Sequence, residues 1–311
     1  MQIAVTVGLT IWLLANMEWS AALPLFNNMH WGLIGTALCF LVLAHMINVA
    51  RWQYLIQSPT IRFASLFVLY GAGLFSNNFL PTGIGGDSVR VALLTRHIPL
   101  GRAMFSVVLD RGIGLVALSA LFALGLIGGL PPGLDFRVSD RLPMPETWIW
   151  YVVVALAALV LVALLAWRRM HILRLSLIAA ISRRTAVWDM PRWSLRRWLQ
   201  RLGGAYLISV GSHLCIVAAT WLTLIAMRVD VSPIVAIWLV VISSLSLLLP
   251  IAVNGMGVVE GVYVVVLGSY GVMPSIGLSV ALVVRLIALL LSLLGGFLML
   301  KRRAIDAKVQ C

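Results

Sequence analysis

Apolar positions in this chain run in long blocks, not in alternation. Stretches with almost no charge occur at about 3–17 (short, and able to continue to Phe26), 31–50, 103–130, 148–167, 204–227 and 276–300. A helix needs roughly 20 apolar residues to cross the hydrocarbon core of a bilayer, so each of these six is expected to be a full span. Two further apolar stretches, about 63–95 and 233–270, are interrupted near their middles by Pro and Gly. Unwound backbone at membrane depth survives only where protein or a wet cavity satisfies its N–H and C=O groups. Both stretches are therefore expected to fold as helix–break–helix.

Composition turns that pattern into a class. Hydrophobic residues make up 62% of the 311, charged residues 11%, and the mean hydropathy is +1.04. A soluble domain carries about 25% charged residues, so a soluble fold is excluded. The first 17 residues lack a basic leader region and read as a first span, not as a cleaved signal peptide. Cys39, Cys215 and Cys311 show no metal-ligand spacing, and no His/Cys/carboxylate group does. Neither a metal nor a cofactor is expected.

Charge placement then sets a topology. Of the 23 basic residues 21 are Arg, and nine of these lie between Arg168 and Arg201. Cytoplasmic loops collect Arg and Lys, so Arg51 and Arg62 place the end of the second span inside. Arg90, Arg96 and Arg102 follow the first broken stretch. They stay inside if that stretch enters and returns on one face. The same rule puts the loop 131–147 outside, the nine-Arg segment inside, and the second broken stretch on the outer face. Lys301, Arg302 and Arg303 then end the last span inside.

The resulting fold is an all-α integral membrane protein with six full transmembrane helices and two re-entrant helical hairpins in an inverted repeat. The first repeat is 1–130, with its hairpin at about 63–95. The second is 148–303, with a basic segment at 168–203 and a hairpin at about 233–270, and 304–311 forms a cytoplasmic tail. Inverted repeats with broken helices at mid-membrane are a common build of secondary transporters. In the basic segment, Trp188, Trp193 and Trp198 interleave with Arg192, Arg196, Arg197 and Arg201. That composition suits an interfacial helix on anionic lipid headgroups, and equally a plain topology determinant. Nucleic acid is not an expected partner, because a soluble basic domain is lacking.

The breaks carry the candidate chemistry. The first motif runs from Asn77 and Asn78 through Pro81, Gly83, Gly85 and Gly86 to Asp87 and Arg90. Proline withholds a helix N–H and glycine permits close backbone approach, so exposed N–H groups are expected to form a concave anion site. Asp87 suits the start of the following half-helix, either as a simple cap or as a site residue. The second motif runs from Pro250 through Asn254, Gly255 and Gly257 to Glu260, the only acid between Asp230 and Asp306. An ionisable group at the bilayer centre costs about 2.5–3.5 kcal/mol and marks function by default.

Arg111, beside Asp110, follows Asp87 by 24 residues, and Arg285 follows Glu260 by 25. Pairing of Asp87 or Asp110 with Arg111, and of Glu260 with Arg285, would relieve the burial cost. A phosphate can still compete for an Arg so held. The candidate substrate-binding set is Asn78, Gly85, Gly86, Asp87, Arg90, Asp110, Arg111, Asn254, Gly257, Glu260 and Arg285. His45 and His213 are expected to be hydrogen-bonded packing residues within spans.

The first motif, the stretch Asp110-Arg111-Gly112-Ile113-Gly114-Leu115, the Pro250-to-Glu260 motif and Arg51-Trp52 together resemble the membrane domain of lysylphosphatidylglycerol synthase/flippase proteins. The likeness covers nearly the whole chain and extends to the stand-alone bacterial homologues, some linked to hopanoid biosynthesis. Val259 departs from the family's basic residue before the second acid, and a serine after the second proline is also missing. The resemblance implies lipid translocation between leaflets of a bacterial cytoplasmic membrane, with both termini cytoplasmic. In that family aminoacyl transfer belongs to a separate soluble C-terminal domain, whereas only Lys301 to Cys311 follow the last span here. No enzymatic activity is therefore expected. The substrate implied is a phospholipid, an aminoacylated lipid or an isoprenoid lipid. The alternatives are an intramembrane enzyme acting on a lipid or polyprenyl-phosphate, with Asp87 or Glu260 as base, and a scaffold for a lipid-synthesis complex.

Overall fold

The computed structural model describes residues 24–56, 58, 61–80, 85–132, 195–248 and 252–309, with the single positions 6, 8, 11, 12 and 15. Eight α-helices and one 3-10 turn are described by residue range, and the described residues contain no strand. They are α1 (Trp31–Ile56), α2 (Phe63–Asn77), α3 (Gly85–Leu94), α4 (Leu100–Gly128), α5 (Leu195–Ala226), α6 (Pro233–Ser246), a 3-10 turn (Val253–Gly255), α7 (Val258–Ser269) and α8 (Pro274–Val309). Four are long and apolar enough to cross a membrane: α1, α4, α5 from Arg196, and α8 as far as Lys301. The predicted span 148–167, the outer loop from 133 and the basic segment up to 194 lie outside the described residues, as does most of 3–17.

Membrane spanning also shows in what the helices leave uncovered. Val108, Ile127, Leu207 and Val265 are each more than 65% exposed, on three different helices. A soluble monomer rarely presents such apolar faces, whereas lipid tails cover them without cost.

Besides α8, which continues beyond its expected end at 300 to Val309, two helices run past their expected limits because charge is accommodated. The span expected to stop at 50 continues through Arg51 and Trp52 to Ile56. Arg51 is 6% exposed and satisfied by a carboxylate inside the protein, so it is not the free interfacial charge that would end a span. The span expected to begin at 204 starts at Leu195, taking in the end of the basic segment. There the Trp198 ring meets Phe105 edge-on at 5.8 Å, and the Arg201 guanidinium lies 5.5 Å from the Tyr54 ring centroid. These residues belong to the packed helix, not to a separate surface helix.

Each broken stretch forms two short helices packed together. In the first, Gly73 meets Arg90 and Asn77 meets Gly86. Contacts climb α2 as they descend α3, so the chain folds back on itself. In the second, Ser232 caps α6 by accepting the Ile234 N–H at 3.3 Å, with Pro233 in the first turn. This is the favoured start for a helix.

Two apolar cores are the largest in the packing. One gathers Val49, Trp52, Leu66, Leu94 and Ala103 from α1 to α4. The other gathers Leu224, Val235, Leu239, Leu267 and Val280 from α5 to α8. Helices cross between the halves at small residues, as membrane helices favour. Gly71 of α2 lies against Gly295 of α8, so closely that a Cβ on Gly71 would sit 2.8 Å from the Gly295 Cα. Overpacking typically costs about 1–3 kcal/mol. Gly71→Val is therefore expected to lower the melting temperature in detergent by several degrees, whereas Gly211→Ala, with open space around it, is expected to leave it unchanged or raise it. Tryptophan fluorescence during thermal unfolding checks both.

Candidate functional site: two ionic centres joined at the helix breaks

The first centre is built where α3 and α4 meet α1. Asp110, 2% exposed, accepts Arg51 Nε on Oδ1 at 2.9 Å and an Arg90 guanidinium N–H on Oδ2 at 3.1 Å. Arg51 also donates to the buried Ser209 hydroxyl of α5. Arg90 reaches on to Asp87 Oδ1 at 3.3 Å, and Asp87 takes Arg111 through Nε at 2.7 Å and a terminal N–H at 3.2 Å. The result is an alternating chain, Arg51–Asp110–Arg90–Asp87–Arg111. Alternation is what allows so many charges under cover, since a lone buried ion carries a desolvation cost of several kcal/mol.

Three cations against two carboxylates leave one positive charge. Its outlet is Arg111, whose side chain is 53% exposed while those of the other four are at most 13% exposed. Arg90 also meets two rings, its guanidinium carbon 4.1 Å from the Trp52 ring centroid and 4.7 Å from that of Tyr70. Such contacts contribute about 2 kcal/mol or more when desolvated. Trp52 is fixed in turn by donating to Ser106 Oγ at 3.2 Å.

The second centre follows the second break. Asn254, at φ 48°, and the glycines Gly255 and Gly257, at φ 65° and 83°, turn the chain through left-handed conformations before α7. Glu260, 4% exposed, accepts the Gly257 N–H on Oε2 at 2.7 Å, the reaching-back half of a capping box. Arg285 clamps Glu260 with two donors, through Nε to Oε1 and through a terminal N–H to Oε2. It also donates to the Asn254 and Gly255 carbonyls at 3.4 and 3.3 Å. One guanidinium thus closes both the acid and the unwound backbone, and this centre is neutral.

The two breaks touch. Asn254 donates its amide N–H to Asn78 Oδ1 at 2.7 Å, and Asn78 donates to Ser292 Oγ of α8 at 2.6 Å. Thr6 Oγ1 accepts the Val253 N–H at 2.8 Å from the N-terminal end. Among the residues singled out from sequence, Asp87, Arg90, Asp110 and Arg111 meet at the first centre. Glu260, Arg285, Asn254 and Gly257 meet at the second, and Asn78 joins them.

Gly85 and Gly86 do not offer the open backbone expected of an anion cradle. Gly86 N–H is already given to Asn77 Oδ1 at 2.8 Å, and a Cβ at Gly86 would run into the Gly73 carbonyl. Gly85 has the Leu80 side chain against it. Their small size closes the α2–α3 contact, and the exposed charge of the first centre is the Arg111 side chain. Pro81 to Ile84 and Leu249 to Ile251 lie outside the described residues.

Sequence reasoning missed Arg51, Trp52, Tyr70 and Ser209 as parts of the centre. A buried Asp110 next to one Arg still has a second oxygen to satisfy, but nothing local in the sequence points to Arg51 as its partner. His213 bonds the Ser209 carbonyl at 2.8 Å, as a packing histidine should. His45 packs 5.9 Å from the Tyr70 ring with its Nδ1 buried and unpartnered. Among the described residues no group of three or more His, Cys, Asp or Glu side chains lies together.

Residues 1–296 match the family described as the lysylphosphatidylglycerol synthase TM region. The chain belongs to that family. It is also similar to a UPF0104 membrane protein of Methanocaldococcus jannaschii, at 24% identity over 289 residues, which covers 86% of this chain and 84% of the relative. No solved structure matches the chain. As a member of the family with four described membrane-crossing helices, it is a multi-pass membrane protein.

Proposed function

We propose that this chain moves a lipid headgroup between leaflets, through a polar path opened where its two broken helix pairs meet. The observation that carries this reading is the Asn78–Asn254 contact. It brings two interruptions of apolar helices together, each beside an ionic centre, and so gathers polar groups in one place. In this reading α2–α3 and α6–α7 are re-entrant hairpins entering from opposite faces of an inverted repeat with six full spans, in a bacterial cytoplasmic membrane with both termini inside. Membership in a family named for a lipid synthase's membrane region supports a lipid substrate.

The headgroup phosphate would be taken by Arg111, the exposed end of a chain with one spare positive charge. Arg–phosphate pairing is bidentate and charge-assisted, so a phosphate can displace Asp87, which keeps Arg90. The acyl chains stay in the bilayer while one repeat rocks against the other. Arg196 and Arg197, exposed at the start of α5, would rest on anionic lipid at the cytoplasmic face. The reading also makes the protein a transporter and not an enzyme. Both oxygens of Asp87 and of Glu260 are occupied by Arg, so neither carboxylate is a free general base.

Liposomes carrying the protein and a short-chain fluorescent phospholipid, challenged with an outer-leaflet quencher, test this. Quenching is expected to pass one half and approach completion for at least one headgroup. Quenching that stalls near half across a headgroup panel, with and without protein, would overturn the proposal. Arg111→Ala is expected to slow translocation about tenfold or more, the equivalent of a lost charge-assisted contact. Its melting temperature should stay within a few degrees of the parent, because an exposed pair contributes only about 0–1 kcal/mol.

A further inference from the structure

Beside the second ionic centre, between α1, α5, α6, α7 and α8, lies a cavity of about 250 Å³. Its wall is mostly aliphatic, with Leu41, Val240, Val259 and Ile287 among the lining residues. Hydroxyls also reach it, and most are accounted for. Thr223 donates to the Ala219 carbonyl of its own helix at 2.8 Å, and Thr220 hydrogen-bonds Tyr263. Ser243 Oγ is buried with no hydrogen-bond partner among the described residues. The cavity is distinct from a larger depression around His30 and Trp31, and neither is lined by the charged residues of the two centres.

A buried hydroxyl left unpaired is destabilising, so a bound oxygen beside Ser243 would be favoured. Water fills such a space poorly, since each molecule wants two to four polar partners, and most of this wall offers none. An apolar cavity of ~150 Å³ stays dry and accepts a hydrocarbon, and this one is larger. We infer that it is a binding site for an aliphatic lipid chain bearing one oxygen, with that oxygen bonded to Ser243 and the chain packed on Val240 and Ile287. An ester-linked acyl chain and a long-chain alcohol share this chemistry. Occupancy of the cavity does not depend on whether the protein translocates lipid.

The test uses the full chain in phosphatidylcholine nanodiscs with two photoreactive probes, a diacyl phospholipid carrying a diazirine in one chain and a diazirine-bearing long-chain alcohol. Labelled sites are mapped by mass spectrometry. Label from at least one probe is expected to concentrate around Ser243 and Tyr263, about fivefold above the lipid-facing Leu293 and Phe297, and the probe that labels identifies the source. Ser243→Ala should cut that label about three- to tenfold, as loss of one hydrogen bond does. Ser243→Leu and Val240→Phe, which fill the cavity from two sides, should abolish the enrichment at an unchanged melting temperature. Label spread evenly over the lipid-facing helices, or enrichment indifferent to Ser243→Ala, would overturn the site. The liposome assay is read separately, so failure of either proposal is distinguishable from failure of the other.

Discussion

Asp110→Ala is expected to lower the melting temperature in detergent by about 10 °C, the largest loss from any single substitution in this chain. Among the described residues Asp110 is the one carboxylate that touches both Arg51 and Arg90, and both of those side chains are buried. Removing one partner of a buried ion pair typically costs about 3–5 kcal/mol, because the other charge is left uncompensated. At roughly 2–4 °C per kcal/mol for a chain of this order of size, that gives the expected shift. Ser209 and the rings of Trp52 and Tyr70 hold the two guanidiniums in place, which leaves them little freedom to reach another anion. Asp110→Ala combined with Arg90→Met restores charge balance at the centre and should recover part of the loss. If the single substitution unfolds no earlier than the parent protein, the charge chain is not what holds α1, α3 and α4 together.

The second large effect separates an ion pair from the structure built around it. Glu260→Arg with Arg285→Glu keeps opposite charges at the two positions, yet it is expected to unfold as early as Glu260→Ala alone. Glu260 does more than neutralise Arg285, because it also accepts the Gly257 N–H at the start of α7. Arg285 also donates to the Asn254 and Gly255 carbonyls in the unwound turn. An arginine at 260 cannot accept from Gly257, and a glutamate at 285 cannot donate to carbonyls. The exchange therefore breaks three hydrogen bonds while preserving the Coulomb attraction, and each orphaned buried group costs about 1–3 kcal/mol. Translocation in liposomes should be lost in the double variant. Full rescue of stability would mean that only the charge matters.

Local spacing makes the two acid–Arg pairs legible in the sequence. Asp87 and Arg111 are separated by one helix and one turn, as are Glu260 and Arg285, so a charge at the start of a short helix finds the next span directly. The limits of the broken stretches are legible for a similar reason, since Pro and Gly mark where helix hydrogen bonding must stop. Arg51 is not, because a charge at the end of an apolar block reads as the membrane boundary. Its partner lies 59 residues away on another helix. The contact between Asn78 and Asn254 spans 176 residues and depends on how α2 seats against α8, which no periodicity encodes. Glycine misleads in one respect. The motif glycines suggest open backbone for an anion, whereas Gly86 and Gly73 serve close packing of two helices.

Asn78 and Asn254 bear on how the breaks would move relative to each other. Their amides are tied at 2.7 Å, and a hydrogen bond of this kind is gone once the heavy atoms part by much more than about half an ångström. A small displacement therefore breaks the tie between the two amides and leaves Asn78 with its Ser292 contact alone until each amide finds a new partner further on. For the proposed rocking of the repeats, intermediate positions are then disfavoured relative to the end positions, and the expected motion is stepwise instead of graded. Recordings from single molecules labelled across the two breaks should show discrete dwell times, and Asn254→Ala should shorten the dwell in the closed position.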